Sequence, residues 1–215
     1  LVLVAGASVA CAPLREPKDL TSRHLVTAAA NTIERFRADP ELQRFAYFLT
    51  DARAVVVLPN VFKAGFFVGG EGGNGVLIAR TTTGGWGQPA FYTLGAASFG
   101  FQFGVQDTAV VLIVRNDGAL SSILKHQGKL GADTGATIGV HGIGMEASTT
   151  THHGADIFAF ANPNIVAYLG ATLEGAVLAL RNDLNHAFYG GDATLDGIIT
   201  GKFPQPRRQP AKDCP

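Results

Sequence analysis

Gly70, Gly72 and Gly75 match the spacing G-x-G-x-x-G, which cradles a pyrophosphate in dinucleotide-binding proteins. That chemistry requires the last glycine to open a helix whose N-terminal N–H groups face the phosphates. Here it opens Val76-Leu77-Ile78-Ala79-Arg80-Thr81-Thr82-Thr83, a strand by composition. His152 and His153 with Asp156 are the densest set of possible metal ligands. Adjacent histidines in a strand point to opposite faces, and no cysteine or carboxylate stands at a recognised ligand spacing, so neither a metal nor a cofactor is expected. A nucleophile elbow G-x-S-x-G is missing, and Ser98 lies in a Phe/Gly strand, which gives no basis for pairing it with His141 or His186. Glu71 and Glu174 stand beside glycines, where a carboxylate is held by backbone N–H groups or pairs with Lys63, Arg80 or Arg181. As a general acid or base each needs a partner and a pocket, and the chain is read as non-catalytic.

The elements that carry these residues are glycine-rich and β-leaning. Val55-Val56-Val57-Leu58 reads as a buried strand closed by Pro59, and Gly65-Phe66-Phe67-Val68 begins a second. The cluster Gly69 to Gly75 is read as the reversal, supplying positive-φ positions before Val76-Leu77-Ile78-Ala79 runs out as a third strand. Phe99, Phe101 and Phe103 alternate with Gly100, Gln102 and Gly104, and Ala109 to Val114 is the clearest buried strand. Glycine-rich antiparallel strands are expected from Gly131 to Glu146. Asp156 to Ala161 and a hairpin from Ile165 to Leu180 follow.

Helices are expected at both ends and after Asn116-Asp117-Gly118. Val26, Ala29 or Ala30, Ile33 and Phe36 recur at helical spacing, with Arg23, Glu34, Arg35 and Arg37 largely off that stripe. Asp39-Pro40-Glu41 offers an N-cap, an N1 proline and a first-turn acid for a second helix burying Leu42, Phe45, Phe48 and Leu49. Ala119 to Lys125, Arg181 to Tyr189 and Ala193 to Ile199 read as further helices.

Composition bounds the function class. A chain of 215 residues with 47% hydrophobic content, 16% charged residues and zero formal net charge holds one good core. It has no electrostatic footprint for nucleic acid. The first residues, Leu1 to Ala10 before Cys11, read as the end of a secretory segment. Cys11 is read as a lipidation site, the alternative being a bridge to Cys214 in an oxidising compartment. Both readings place the chain in the cell envelope or periplasm, lipid-anchored or secreted. The divisions are 1–11 signal segment, 12–21 tether, 22–203 domain and 204–215 Pro-rich tail.

The order Ala54-Val55-Val56-Val57, Pro59, Lys63-Ala64-Gly65, Gly69-Gly70, Gly75-Val76-Leu77 and Gly84-Gly85-Trp86-x-x-Pro89-Ala90-Phe91-Tyr92 resembles the SYLF domain, a lipid-binding module. The likeness continues through Ser98 to Gln102, Lys129 to Asp133, Gly170 to Gly175, Arg181, Asn185 and Phe188-Tyr189-Gly190. It implies a non-catalytic domain that engages phospholipid or a membrane surface. Lys63, Arg80, Trp86 and Lys129 are its basic and aromatic candidates, together with Arg23, Arg35 and Arg37 of the first helix. That helix either meets the membrane or simply packs on the sheet. Asn162-Pro163-Asn164-Ile165 replaces the basic turn of many relatives, which implies weaker head-group binding or a different lipid. An envelope protein is the alternative partner, and actin is expected not to be one. The fold class is α+β: a glycine-rich, mainly antiparallel curved sheet or barrel, with packed N-terminal helices and a C-terminal helical segment.

Overall fold

A computed structural model describes residues 16–65, 68–99, 104–125, 130, 138–141, 156–161, 173 and 176–204. Helix α1 spans Lys18–Ala38, and a short 3-10 turn, Pro40–Leu42, leads into α2, Gln43–Thr50. The Asp39 carboxylate accepts from the Glu41 N–H at 2.9 Å, so the capping triplet behaves as its sequence predicts. Helix α1 starts at Lys18, inside the stretch expected to be a tether. Its buried stripe is Ser22, Ala29, Thr32 and Phe36, while Ala30 faces solvent. Two hydroxyl residues sit on that stripe because each is satisfied within the helix. Ser22 Oγ donates to Asp19 O at 2.8 Å and Thr32 Oγ1 to Ala28 O at 2.9 Å.

The strands are β1 Ala54–Gly65, β2 Val68–Ala79, β3 Ala90–Phe99, β4 Gly104–Val114, β5 Ile138–His141, β6 Ile157–Ala161 and β7 Val177–Leu180. Helix α3, Asp117–Lys125, follows β4, and α4, Asn182–Tyr189, and α5, Leu195–Ile199, follow β7. The strands form one sheet in the order β5-β6-β4-β1-β2-β3-β7. The class is α+β and the sheet is mainly antiparallel, as expected. It is open, because no described pairing joins β5 to β7. The segment read as antiparallel after Gly131 departs from that reading where it is described: Ile138 to His141 runs parallel to β6.

Helices cover both faces. On one face Val56, Leu58, Leu77, Tyr92, Val110 and Leu112 pack with Leu120 and Ile123 of α3 and Ile198 of α5. On the other, Val55, Val57, Phe91, Val111, Ile113, Phe158 and Phe160 pack with Phe36 of α1, Phe45 of α2 and Leu184 and Phe188 of α4. A sheet buried on two sides needs apolar residues at every position, which is why 54–59, 110–114 and 157–161 are unbroken buried runs. Phe45 is fully buried, with its ring 5.5 Å from Phe36 and 5.3 Å from Phe160. That edge-to-face chain fastens the helical layer to the sheet.

Two expectations about the central hairpin are corrected. Strand β1 does not close at Pro59 but continues to Gly65, with Pro59 and Asn60 at a bulge that leaves them without a partner in either flanking register. Proline has no N–H to lose from a ladder, and a bulge is where a central strand tolerates it. The run Gly69 to Gly75 is not the reversal either: it lies inside β2, paired with β1 and β3. Among the described glycines positive φ occurs only at Gly84, Gly190 and Gly201. Close approach explains the glycines instead. A Cβ on Gly73 would stand 2.2 Å from Asn60 O, and one on Gly75 would stand 2.4 Å from Val57 O, so the bulged strand presses where β2 has no side chains. The hairpin continues through Asn74 and Gly75 with no helix start, which removes the phosphate-binding geometry of the glycine motif.

Candidate functional site

Helix α1 passes over the bulge and leaves a groove of about 500 Å³. Asn31, Thr32 and Arg35 form its helical wall, at i, i+1 and i+4 on one side of α1. Pro59, Asn60, Asp107 and Thr108 form its sheet wall. Asn60 Nδ2 donates to both Asp107 carboxylate oxygens, at 3.1 and 2.8 Å. The Arg35 guanidinium donates to Thr32 Oγ1 at 3.4 Å, and no ion pair joins it to Asp107 among the described residues. Phe62 is the register partner of Asp107 and is half exposed. The groove thus carries one cation and one anion, with the exposed Phe62 at the strand position paired to Asp107.

A second exposed feature lies at the opposite end of the β1–β2 hairpin. The Arg80 guanidinium sits 4.1 Å from the Trp86 ring centroid and donates to Thr50 O, Ala52 O and Gly84 O. Thr50 and Ala52 close α2, so this cation meets the negative end of a helix as well as a π face. Trp86 is 41% exposed, and Tyr47, one turn before Thr50 on α2, is 68% exposed.

A polar network ties α1, α4 and the glycine-rich strand together. Arg181 donates to both oxygens of Asp183 at 2.8 and 2.9 Å and to Asn74 Oδ1 at 2.6 Å, while Lys18 Nζ lies 3.3 Å from Asp183. The Arg181 hydrogen bonds, with Lys18 adding to them, hold the Asp183 carboxyl well below the usual carboxylate range. Asn185, fully buried, accepts from Phe91 N at 3.0 Å and donates to Phe91 O at 3.4 Å, standing in for a neighbouring strand at the start of β3. Tyr189 donates to Pro89 O at 2.7 Å, and burial pushes the Tyr189 and Tyr92 phenols above their ordinary range.

The residues singled out in the sequence do not converge. Arg80 and Trp86 meet, but Lys63 lies nine residues along β1 from Ala54, roughly 30 Å away at the far end of the hairpin. On α1, Arg23 packs 6.0 Å from the Phe188 ring, Arg35 lines the groove and Arg37 pairs with Glu34 at 3.7 Å. Glu71 is buried in β2 as the register partner of Lys63, and its Oε1 has no hydrogen-bond partner among the described residues. It does not pair with Arg80 or Arg181, whose guanidinium groups are held elsewhere. Ser98 in β3 and His141 in β5 are five strand positions apart, roughly 24 Å along the sheet, and His186 is exposed on α4. Cys11, Lys129, His152, His153, Glu174 and Cys214 lie outside the described residues, as do 100–103 and the turn at 162–165. Among the described residues no cluster of His, Cys, Asp and Glu is fit to hold a metal, and no helix is long and apolar enough to cross a membrane. Sequence reasoning missed Asn31, Asn60, Phe62 and Asp107. The available signal was Pro59-Asn60 inside an apolar run, which marks a bulge.

The molecule is thus an α+β domain with helices on both faces of an open sheet, and the exposed features among the described residues include a dipolar groove and an aromatic-arginine corner. Residues 95–212 match the family described as "Ysc84: Las17-binding protein actin regulator". The chain belongs to the Ysc84 family, the family of SYLF domains. It is 28% identical over 205 residues to the SH3 domain-containing YSC84-like protein 1 of Rattus norvegicus, covering 95% of this chain and 56% of that protein. It is 31% identical over 161 residues to an SH3 domain-containing protein of Schizosaccharomyces pombe, covering 74% and 37%. It is 29% identical over 161 residues to LAS seventeen-binding protein 3 of Saccharomyces cerevisiae, covering 74% and 35%. The chain therefore spans a little over half the length of the rat relative and about a third of the yeast ones. These findings overturn the expectation that actin is no partner: the matching family is described as an actin regulator, and one relative is named for binding Las17.

Proposed function

We propose that this chain is a non-catalytic binding domain that engages actin filaments. The observation that carries the reading is the match of residues 95–212 to an actin-regulator family, a span that includes β4, α3, β6, β7, α4 and α5. The corner formed by Trp86, Arg80 and Tyr47 supports it. Tryptophan, tyrosine and arginine dominate the energetics of protein interfaces, and here the cation is already fixed beneath the ring. Co-sedimentation of the full chain with actin filaments tests it. Saturable pelleting is expected, and replacing Trp86 and Tyr47 together by alanine is expected to weaken it by at least about tenfold. A chain that stays in the supernatant at every filament concentration refutes the proposal.

A phospholipid surface is the second reading. Arg35 and Phe62, both exposed, favour it, since a guanidinium and an aromatic ring suit a head-group boundary. Pelleting with vesicles instead of filaments would replace the first reading with this one.

A further inference from the structure

We propose that the groove between α1 and the β1 bulge is a site for a compact zwitterion carrying a phosphate and an ammonium, as in phosphocholine or phosphoethanolamine. Arg35 on the helical wall and Asp107 on the sheet wall have opposite charges and line one groove of about 500 Å³, and among the described residues each bonds a neighbour other than the opposite charge. Neither has spent its capacity. Among the described residues the guanidinium uses one of its five N–H donors, at 3.4 Å to Thr32, and the Asp107 carboxylate, bound by the Asn60 amide, keeps further lone pairs.

Simple ions fit poorly. A dianion set against Arg35 meets the Asp107 carboxylate across the groove, and a bare cation beside Asp107 meets Arg35. A ligand with both poles satisfies both walls. The arginine fork matches phosphate oxygens, and the ammonium falls beside Asp107. Phe62, half exposed as the register partner of Asp107, places an aromatic side chain at the strand position beside that carboxylate. The Asn31 side chain makes no hydrogen bond among the described residues and adds a further donor on the phosphate side. The volume lies within the span of about 300–1,000 Å³ usual for small-ligand sites.

The second reading above bears only on where the ligand comes from, a lipid head group or a free molecule. The experiment separates the two. Phosphocholine is titrated into the full chain by calorimetry, with inorganic phosphate and choline as separate titrants, and the chain is also spun with phosphatidylcholine vesicles. Saturable phosphocholine binding is expected, tighter than to either half alone. Arg35→Gln and Asp107→Asn are each expected to weaken it by at least about tenfold while leaving the thermal midpoint unchanged. Soluble binding with this dependence but no vesicle pelleting upholds the groove and rejects the membrane source. Vesicle pelleting equal in the parent and both variants keeps the membrane reading and overturns the groove. No saturation by about 10 mM phosphocholine, or binding unchanged in both variants, also overturns it.

Discussion

Glycines 73 and 75 show how a single atom can be excluded by geometry rather than by conformation. Neither has positive φ, yet each faces a β1 carbonyl oxygen at a distance no Cβ can occupy. Gly75→Ala is expected to cost about 1–3 kcal/mol, the range of overpacking. Gly70→Ala is the control, since its Cβ would meet nothing nearer than 3.9 Å and the position is exposed, so it is expected to stay within about 0.5 kcal/mol. Denaturant unfolding of the two variants measures the difference, and equal midpoints would remove the close-approach account. The glycine run was conspicuous in the sequence, but its role was not. A run of glycines signals either a turn or a tight contact, and only the register with β1 distinguishes the two. Asn185 is similar: its position at the start of a late helix was visible, but its use as a surrogate strand depends on Phe91, which lies 94 residues earlier.

At the scale of elements, α1 and α4 are pinned by Asp183, which takes Arg181 from its own segment and Lys18 from the first turn of α1. Its carboxyl is held below the ordinary range in the folded chain, so the ionised form is the stabilising one. That stabilisation is present above the carboxyl's unfolded pKa of about 4 and is lost as pH falls through the lower folded value. Asp183→Asn is therefore expected to lower the melting temperature near pH 7, and the gap from the parent should shrink on titration below about pH 4. A gap independent of pH would mean that packing, not charge, makes the difference. Element types were largely readable from periodicity and capping, as Asp39-Pro40-Glu41 and the apolar run at 109–114 illustrate. Element limits were less so. Pro59 and the glycines broke the pattern within strands, and the hydroxyls Ser22 and Thr32 were passed over on a stripe that buries them.

Taken whole, the molecule places its most protected backbone at the centre of the sheet. Strands β1 and β4 are flanked on both edges and covered on both faces, whereas β5 and β7 end the described ladder. Native-state hydrogen exchange is expected to be slowest at 55–58 and 110–114 and faster at 177–180, and the reverse order would contradict the open-sheet topology. The fold class could be read in advance, because fully buried strands announce themselves as unbroken apolar runs. The groove could not, because its two charges come from a helix and a strand that no local pattern connects.

The bulge has one more consequence. Leu58 and Val61 face the same layer although an odd number of positions separates them, so β1 changes phase by one residue at Pro59 and Asn60. The bulge absorbs one surplus residue of β1, so deleting Pro59 or Asn60 would restore an unbroken alternation with Val61 still facing the Leu58 layer, whereas adding a residue would send Val61 toward α1 and Phe62 into the opposite layer. The same length change in the loop around Gly84 and Gly85 would alter only a surface excursion. Tolerance to length variation along β1 to β3 is therefore set by phase, and the bulge forbids an insertion that the loop between β2 and β3 permits.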